Sequence, residues 1–279
     1  MKIGVVQACN VSGKDYIDTN RRTNGQAIEA LFADGAKIIV LPECANHQYV
    51  MRSRDEADAF AEELDGPSVA YWQRLASVYG GYIAGGILER EGSTLYNTAV
   101  LVGPNGPVGH YRKVHLFDWE KEYLSPGNVG FQTFLIEKLK TTVSMLVCYD
   151  LRFPEAVRSV ALGGCDVLLV PTTWTSIGKS VLWDERGYCL ANYLAVAHTY
   201  SNRMAIVCAD RAGKERDVRY MGASLIVDSM SRVVAGPASK YDADCLLADV
   251  DVSLSRDKRV GKRNDLLKDR RPEHYKLNG

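Results

Sequence analysis

These 279 residues contain no Cys-x-x-Cys pair, no long apolar run and no excess of either charge, and each absence removes a class of function. The seven cysteines (Cys9, Cys44, Cys148, Cys165, Cys189, Cys208 and Cys245) are odd in number and scattered. That argues against a disulfide framework and against a zinc site. His110 and His115 are five apart on a strand pattern and point to opposite faces, so they do not make a metal pair. No stretch approaches the roughly 18 apolar residues of a membrane-spanning helix, and the opening MKIGVVQACN is too short in apolar length for a signal peptide. Lys plus Arg and Asp plus Glu both total 34, leaving neither a basic surface for nucleic acid nor an acidic tail. The expectation is a soluble protein of the reducing cytoplasm, with no nucleic-acid or membrane partner.

What is present is an α/β pattern. Runs rich in Val and Ile at 3–7, 38–41, 82–87, 99–102, 143–148, 167–170, 205–209 and 225–227 read as strands. Helical patterns occupy 19–32, 55–64, 68–79 and 154–162. Two of these helices end at glycine and pass directly into a strand, at Gly35 and at Gly163-Gly164. Residues 96–102 run through Gly103-Pro104-Asn105-Gly106 into 108–117, which predicts a hairpin. Strands that follow one another in this way favour a mixed sheet, or two packed sheets, over a simple doubly wound fold. No linker or repeat interrupts the chain, so 1–279 reads as one domain. The charged stretch 255–279 reads on composition alone as a solvated tail.

Three side chains stand at positions where chemistry is usually done. Cys148 ends an apolar strand, and a polar turn then leads to a helix that starts at Pro154. This strand–turn–helix layout is that of a nucleophile elbow. It would aim the backbone N–H of Tyr149 at a developing oxyanion, and the helix N-terminus would favour thiolate. Glu43 closes Ile38-Ile39-Val40-Leu41-Pro42 at the carboxyl edge of a sheet, where open α/β sheets bind ligands. Lys113 shares a strand face with His115 and Phe117, among apolar neighbours. Taken singly, each has an ordinary structural explanation: a small buried hydrophobe, a surface carboxylate, a surface lysine.

Their order changes that reading. Leu41-Pro42-Glu43, then Tyr111-Arg112-Lys113-Val114-His115-Leu116-Phe117, then Cys148-Tyr149-Asp150-Leu151-Arg152-Phe153-Pro154-Glu155 resembles the nitrilase, or carbon–nitrogen hydrolase, superfamily. The resemblance runs from Ile3-Gly4-Val5-Val6-Gln7 through Leu95-Tyr96-Asn97-Thr98-Ala99 and Ser125-Pro126-Gly127 to Lys268-Asp269-Arg270-Arg271-Pro272-Glu273-His274-Tyr275. It is nearest to the small bacterial and archaeal nitrilases and amidases. It implies a four-layer α-β-β-α sandwich, homodimers or larger homo-oligomers, and a Glu–Lys–Cys triad at Glu43, Lys113 and Cys148. The family's second glutamate lies six residues before the Pro of the Pro-Gly pair, which is Glu120, with Glu122 as the competitor. The C-terminal arm, 255–279, then becomes an element at a subunit interface rather than a free tail.

The resemblance also implies a reaction. Glu43 would take the Cys148 thiol proton, Lys113 and the Tyr149 N–H would hold the oxyanion, and a thioester would be hydrolysed. No metal or organic cofactor is called for. Tyr49 and Trp174 are candidate substrate-lining residues. The expected partner is a small-molecule amide, then a nitrile, then an N-carbamoyl amine. A silent binding or assembly module, a thiol redox sensor and a metal hydrolase are the competing classes. The chain departs from the family at His198-Thr199-Tyr200-Ser201-Asn202, where Arg-Ala-x-Glu-Asn is usual. His198 and Ser201 there alter either the pocket wall or the packing of a helix.

Overall fold

Side-chain parity along the strands explains the architecture. Ile3, Val5, Ile38 and Val40 join one buried cluster, while Val6, Ile39 and Leu41 join another on the opposite face. Strands apolar on both faces must be covered on both. In the computed structural model, which describes residues 1–178 and 182–275, one face meets a second sheet and the other meets helices.

The strands run in chain order as β1 (Lys2–Gln7), β2 (Ile38–Val40), β3 (Tyr82–Glu91), β4 (Thr94–Gly103), β5 (Gly106–Arg112), β6 (Thr133–Ile136) and β7 (Thr141–Met145). They continue as β8 (Val167–Pro171), β9 (Ala205–Ala209), β10 (Lys214–Glu215), β11 (Val218–Arg219), β12 (Leu225–Val227), β13 (Val233–Ala235) and β14 (Asp244–Asp249). The helices are α1 (Ile17–Ala33), α2 (Arg54–Phe60), α3 (Pro67–Tyr79), α4 (Glu120–Tyr123), α5 (Pro154–Leu162) and α6 (Leu190–Asn202). One six-stranded sheet has the order β14-β1-β2-β3-β4-β5, and the other β13-β12-β9-β8-β7-β6. Within each, the central pairs are parallel (β1 with β2, β2 with β3, β7 with β8, β8 with β9) and the outer pairs antiparallel.

Residues of both sheets share a single core, in which Val5, Val40, Ala84 and Leu101 lie with Val143, Leu169, Val207 and Leu225. On the outside of the first sheet, Ile28 and Leu31 of α1 and Trp72 and Leu75 of α3 cover Ile39, Ile83 and Val100. On the second, Val157 and Val160 of α5 and Ala195 of α6 do the same work. The result is the expected α-β-β-α sandwich. The hairpin is present as β4 and β5, paired from Gly103 and Gly106 outward.

Three expectations are revised. The second strand of the hairpin stops at Arg112, so Lys113 stands just past a strand end rather than within one. The predicted helix over 55–64 is shorter, because Ala61 is extended and Glu62 exchanges backbone hydrogen bonds with Leu88 and Arg90 of β3. Sheet pairing outcompetes a further helical turn there. Helix α6 is absent from the runs read as helical: beside the good formers Leu190, Ala191, Leu194, Ala195 and Ala197, the residues Tyr193, Val196, His198, Thr199 and Tyr200 are poor ones, and packing on the second sheet decides the matter. Among the described residues, no helix is long and apolar enough to cross a membrane.

Candidate active site

The chemistry-bearing side chains come together at the carboxyl ends of the strands, where the chain leaves both sheets. Glu43 follows β2, Lys113 follows β5, Cys148 follows β7, and Thr173 and Trp174 follow β8. The Lys113 side chain is fully buried, as are those of Glu43 and Glu120. Its Nζ lies 2.8 Å from Glu43 Oε1, and 3.0 and 2.8 Å from the two oxygens of Glu120. Glu122, the competing glutamate, is exposed. Glu120 opens α4, and its carboxylate also accepts the Phe117 N–H at 2.6 Å.

The sequence holds Lys113 in place locally. Its N–H donates to the Asn97 carbonyl, and its own carbonyl accepts from Gly127 N–H, both at 2.8 Å. A Cβ on Gly127 would lie 1.9 Å from the Arg112 carbonyl oxygen, which is why a glycine follows Pro126. Beside it, Arg112 forms a buried ion pair with Glu89 at 2.6 Å.

Cys148 occupies the left-handed region, with φ of 45°, a conformation a non-glycine residue adopts only under constraint. A short 3-10 helix, Cys148–Arg152, separates it from α5. That separation weakens the expected help from the α5 N-terminus. Burial and then the Glu43 carboxylate push the Cys148 thiol up, against the opposing pull of Lys113. Burial and Glu43 thus favour the thiol over the thiolate, the direction opposite to that expected from the helix N-terminus. The Lys113 ammonium is strongly favoured: burial opposes its charge, but the Glu120 and Glu43 carboxylates more than compensate. Burial raises the Glu120 carboxyl despite Lys113, and Glu43 raises it further.

A cavity of about 390 Å³ opens over Cys148. Phe117, Tyr149, Leu151, Trp174, Leu194 and Met221 give it an apolar wall, with Thr173, Thr175 and Arg152 as polar points. Of the two candidate lining residues, Trp174 is here. Tyr49 lines a second, smaller cavity with Asn97, Trp119 and Glu120. Among the described residues, no group of three or more His, Cys, Asp or Glu side chains could hold a metal ion.

Sequence reasoning passed over three residues that the fold brings in. Asn97 Nδ2 donates to Glu43 Oε1 at 2.5 Å and to Glu120 Oε1 at 2.7 Å, bridging both carboxylates. The Thr173 hydroxyl donates to Glu43 Oε2. Asp150, two residues beyond Cys148, accepts from Val147 N–H and the Tyr111 hydroxyl. Asn97 lies within a string already noted for its resemblance, which was the only available signal. The departure at His198 also has an explanation. His198 is buried in α6 and its Nε2 is 2.8 Å from the Leu151 carbonyl oxygen, so that nitrogen carries the proton. Burial lowers the ring's affinity for a second proton. His198 thus braces the turn after Cys148 and is not among the residues that line the pocket.

Residues 2–259 match the family model described as carbon-nitrogen hydrolase. The chain is 34% identical over 259 residues to a protein of Pyrococcus abyssi named nitrilase, covering 92% of this chain and 93% of that one. It is 28% identical to the N-carbamoylputrescine amidase of Solanum tuberosum, over 99% of this chain and 95% of the relative. Its fold is similar to that of the amidase from Nesterenkonia sp. AN1, solved with acrylamide added at the active site cysteine. There the TM-score is 0.77 at 23% identity, over 98% of this chain and 97% of that one. A match across nearly the whole length, joined to a buried Glu–Lys–Glu cluster beside a cysteine at a strand end, means that this chain belongs to the carbon–nitrogen hydrolase family.

Proposed function

We propose that the protein hydrolyses a small monoamide with an apolar acyl group to a carboxylic acid and ammonia, through a thioester on Cys148. The observation that carries this reading is the Lys113 ammonium held between the buried Glu43 and Glu120 carboxylates beside the Cys148 pocket. Amide carbonyls are poor electrophiles, so attack needs a deprotonated sulfur and a stabilised oxyanion together. Glu43 takes the thiol proton as the sulfur bonds to the carbonyl carbon. Lys113 shares its N–H groups with the two carboxylates and, together with the Tyr149 N–H, receives the developing oxygen charge. As the C–N bond breaks, Glu43 returns the proton to the departing nitrogen. Water, activated by Glu43, then cleaves the thioester and restores the thiol. Glu120 holds Lys113 and the substrate nitrogen in position.

The pocket supports the substrate class. Its wall is mainly apolar, and no carboxylate is among its described lining residues. A cationic acyl or amine chain, such as the name of the potato relative implies for that enzyme, would find no counter-charge there. Trp174 and Tyr149 supply aromatic surface for an aliphatic or aromatic group instead. We also propose a homo-oligomer in which the exposed Leu190 and Tyr200 of α6, 72% and 77% accessible, and the arm beginning at residue 255 meet a second copy. Sedimentation at micromolar concentration showing only monomer would count against it.

Ammonia release from a panel of small amides, nitriles and N-carbamoyl amines, with Cys148→Ala beside the wild type, tests the function. Turnover on apolar amides that vanishes in the variant is expected. Full turnover by Cys148→Ala would remove the nucleophile, and turnover confined to nitriles or carbamoyl compounds would remove the substrate class.

A further inference from the structure

Resting on the reading of Cys148 as the nucleophile, we infer that Thr172 is a further catalytic residue, whose hydroxyl donates a hydrogen bond to the Cys148 sulfur as that sulfur becomes charged. The pairing of the strands brings the two residues together. Strands β7 and β8 run parallel, with Val143 opposite Val167, Ser144 opposite Leu168 and Met145 opposite Leu169. Counted on from the last of these pairs, Cys148 and Thr172 each stand three residues further along. The Leu146 N–H still donates to the Leu169 carbonyl, so the two chains stay side by side beyond Met145. Thr172 is fixed from its other flank by β9, since its N–H donates to the Ala209 carbonyl at 2.9 Å.

The Thr172 side chain is fully buried, and its Oγ1 has no hydrogen-bond partner among the described residues. Folded proteins leave few buried polar groups unpaired. The carboxyl at the end of β9 does not take this hydroxyl, because Asp210 Oδ2 is itself buried without a partner. The sulfur accounts for it. A neutral thiol is a weak acceptor, so little is gained while Cys148 keeps its proton. A thiolate is a charged acceptor, and hydrogen bonds to charged groups are about twice as strong. Burial and Glu43 push the Cys148 thiol up, Lys113 pulls it down, and the Thr173 N–H and the Thr172 hydroxyl add to that pull.

The two consecutive threonines thus divide the work. The Thr173 hydroxyl donates to Glu43 and serves the base, while the Thr173 N–H and the Thr172 hydroxyl serve the sulfur. Thr173 lines the pocket over Cys148 and Thr172 does not, so the Thr172 hydroxyl approaches from within the wall. The open side of the sulfur is left to the carbonyl carbon. Thr172 gains and loses no proton: Glu43 takes the thiol proton, and the hydroxyl keeps its own throughout. Its hydrogen bond weakens once the sulfur is acylated and returns as the C–S bond breaks. It therefore favours the charged states on either side of the thioester, which is what catalysis requires of it.

Alkylation by iodoacetamide reads this without any substrate: the C–S bond forms as iodide leaves, and the thiolate is the reacting form. Residues 141–152 make a tryptic peptide in which Cys148 is the only cysteine, so its rate is followed apart from the other thiols. Two pairs isolate the hydroxyl, wild type against Thr172→Val and Thr172→Ser against Thr172→Ala. In each pair the member without the hydroxyl should react about three- to tenfold more slowly at neutral pH. Loss of one hydrogen bond to a charged group lowers the thiolate fraction about tenfold or more, and the greater nucleophilicity of the more basic sulfur returns about half of that on a logarithmic scale. If Thr172→Val does not fold, the Ser and Ala variants decide alone. Equal rates within the pairs, with only urea unfolding changed, would give Thr172 a merely structural part and overturn the inference. So would a Thr172→Ser protein as slow as Thr172→Ala, which would place the loss in packing. The expected alkylation pattern in a protein that releases ammonia from no amide would instead sink the amidase reading and leave the thiolate donor standing.

Discussion

His115 Nδ1 lies 2.7 Å from Asp150 Oδ1, and the His115 backbone N–H donates to the same oxygen at 3.0 Å. His115 is two residues past Lys113, and Asp150 two residues past Cys148, so one carboxylate ties the lysine's strand end to the turn at Cys148. Its other oxygen accepts from the Tyr111 hydroxyl at 2.9 Å and Val147 N–H at 3.0 Å. The His115 ring also stacks on Phe153 at 3.6 Å between centroids. The left-handed Cys148 is thus held from both sides.

Asp150→Asn should therefore cost stability and catalysis together. An amide NH₂ must face one of the donors that the carboxylate now accepts, leaving it unpaired in the interior. Such a loss is worth about 1–3 kcal/mol. Urea unfolding should show that decrease, and kcat should fall more than KM rises, because Cys148, the proposed nucleophile, moves while the apolar pocket remains. Wild-type stability together with wild-type kcat would show that the link does not position Cys148.

Glu120→Gln tests the charge balance around Lys113. Burial disfavours the ammonium, and Glu120 is the foremost charge opposing that effect, ahead of Glu43. With the carboxylate neutralised, Lys113 should lose its proton at lower pH than in the wild type. Protonated Lys113 is the active form in the proposed mechanism, so activity is present below its pKa and lost as pH rises through it. The alkaline limb of kcat/KM should move down by about one pH unit or more, with lower turnover throughout. An alkaline limb at the same pH in both proteins would show that Lys113 does not set it.

How far the sequence discloses this site depends on the range of the interactions. Glu43 and Cys148 are legible because each ends an apolar run, Lys113 because of the string it stands in, and all three because their order resembles one family. The parity of Ile38 against Ile39 already implies a sheet covered on both faces. Asn97 and Thr173 are different: they reach Glu43 across 54 and 130 residues of chain, and apart from the string in which Asn97 stands nothing in their own surroundings marks them. Tyr49 stands six residues after Glu43, yet only the fold shows that it faces Glu120 rather than the large pocket. Helix α6 is decided by packing, because the preference of Leu190, Ala191, Leu194, Ala195 and Ala197 is diluted by Tyr193, Val196, His198, Thr199 and Tyr200.

Gly86 offers a test of the link between sheet and site. It lies in β3, and a Cβ there would meet Glu43 Cα at 2.6 Å, the Cys44 nitrogen at 2.8 Å and the Pro42 carbonyl oxygen at 3.0 Å. All three are backbone atoms, which cannot rotate aside. Gly86→Ala must displace the segment that carries Glu43, at a cost typical of overpacking, about 1–3 kcal/mol. A shift of 1 Å in a reacting group can cost about a hundredfold in rate, so the activity loss should far exceed the stability loss. Wild-type kcat in a folded Gly86→Ala protein would show that the Glu43 backbone tolerates the displacement.

His47 should make the fold sensitive to acid. The ring is buried against Phe60. Its Nδ1 is 2.6 Å from the Gln48 carbonyl oxygen, which can only accept, so Nδ1 carries the single proton. Nε2 is buried without a partner among the described residues, and a second proton there would be unsolvated. The Arg211 guanidinium, which donates to the His47 carbonyl oxygen at 2.9 Å, adds like charge. Burial foremost lowers the His47 pKa from 6.5 to about 4, with Arg211 acting in the same direction and the Gln48 bond opposing. A histidine whose pKa falls on folding binds its proton more readily in the unfolded chain. Its effect is absent above pH 6.5, grows as pH falls from 6.5 to about 4, and is complete below that. The loss is about 3 kcal/mol across that window. Urea unfolding at pH 7 and pH 4.5 should show the wild type losing more stability than His47→Gln, whose side chain does not titrate. Equal losses in the two proteins would mean that His47 does not carry the acid sensitivity.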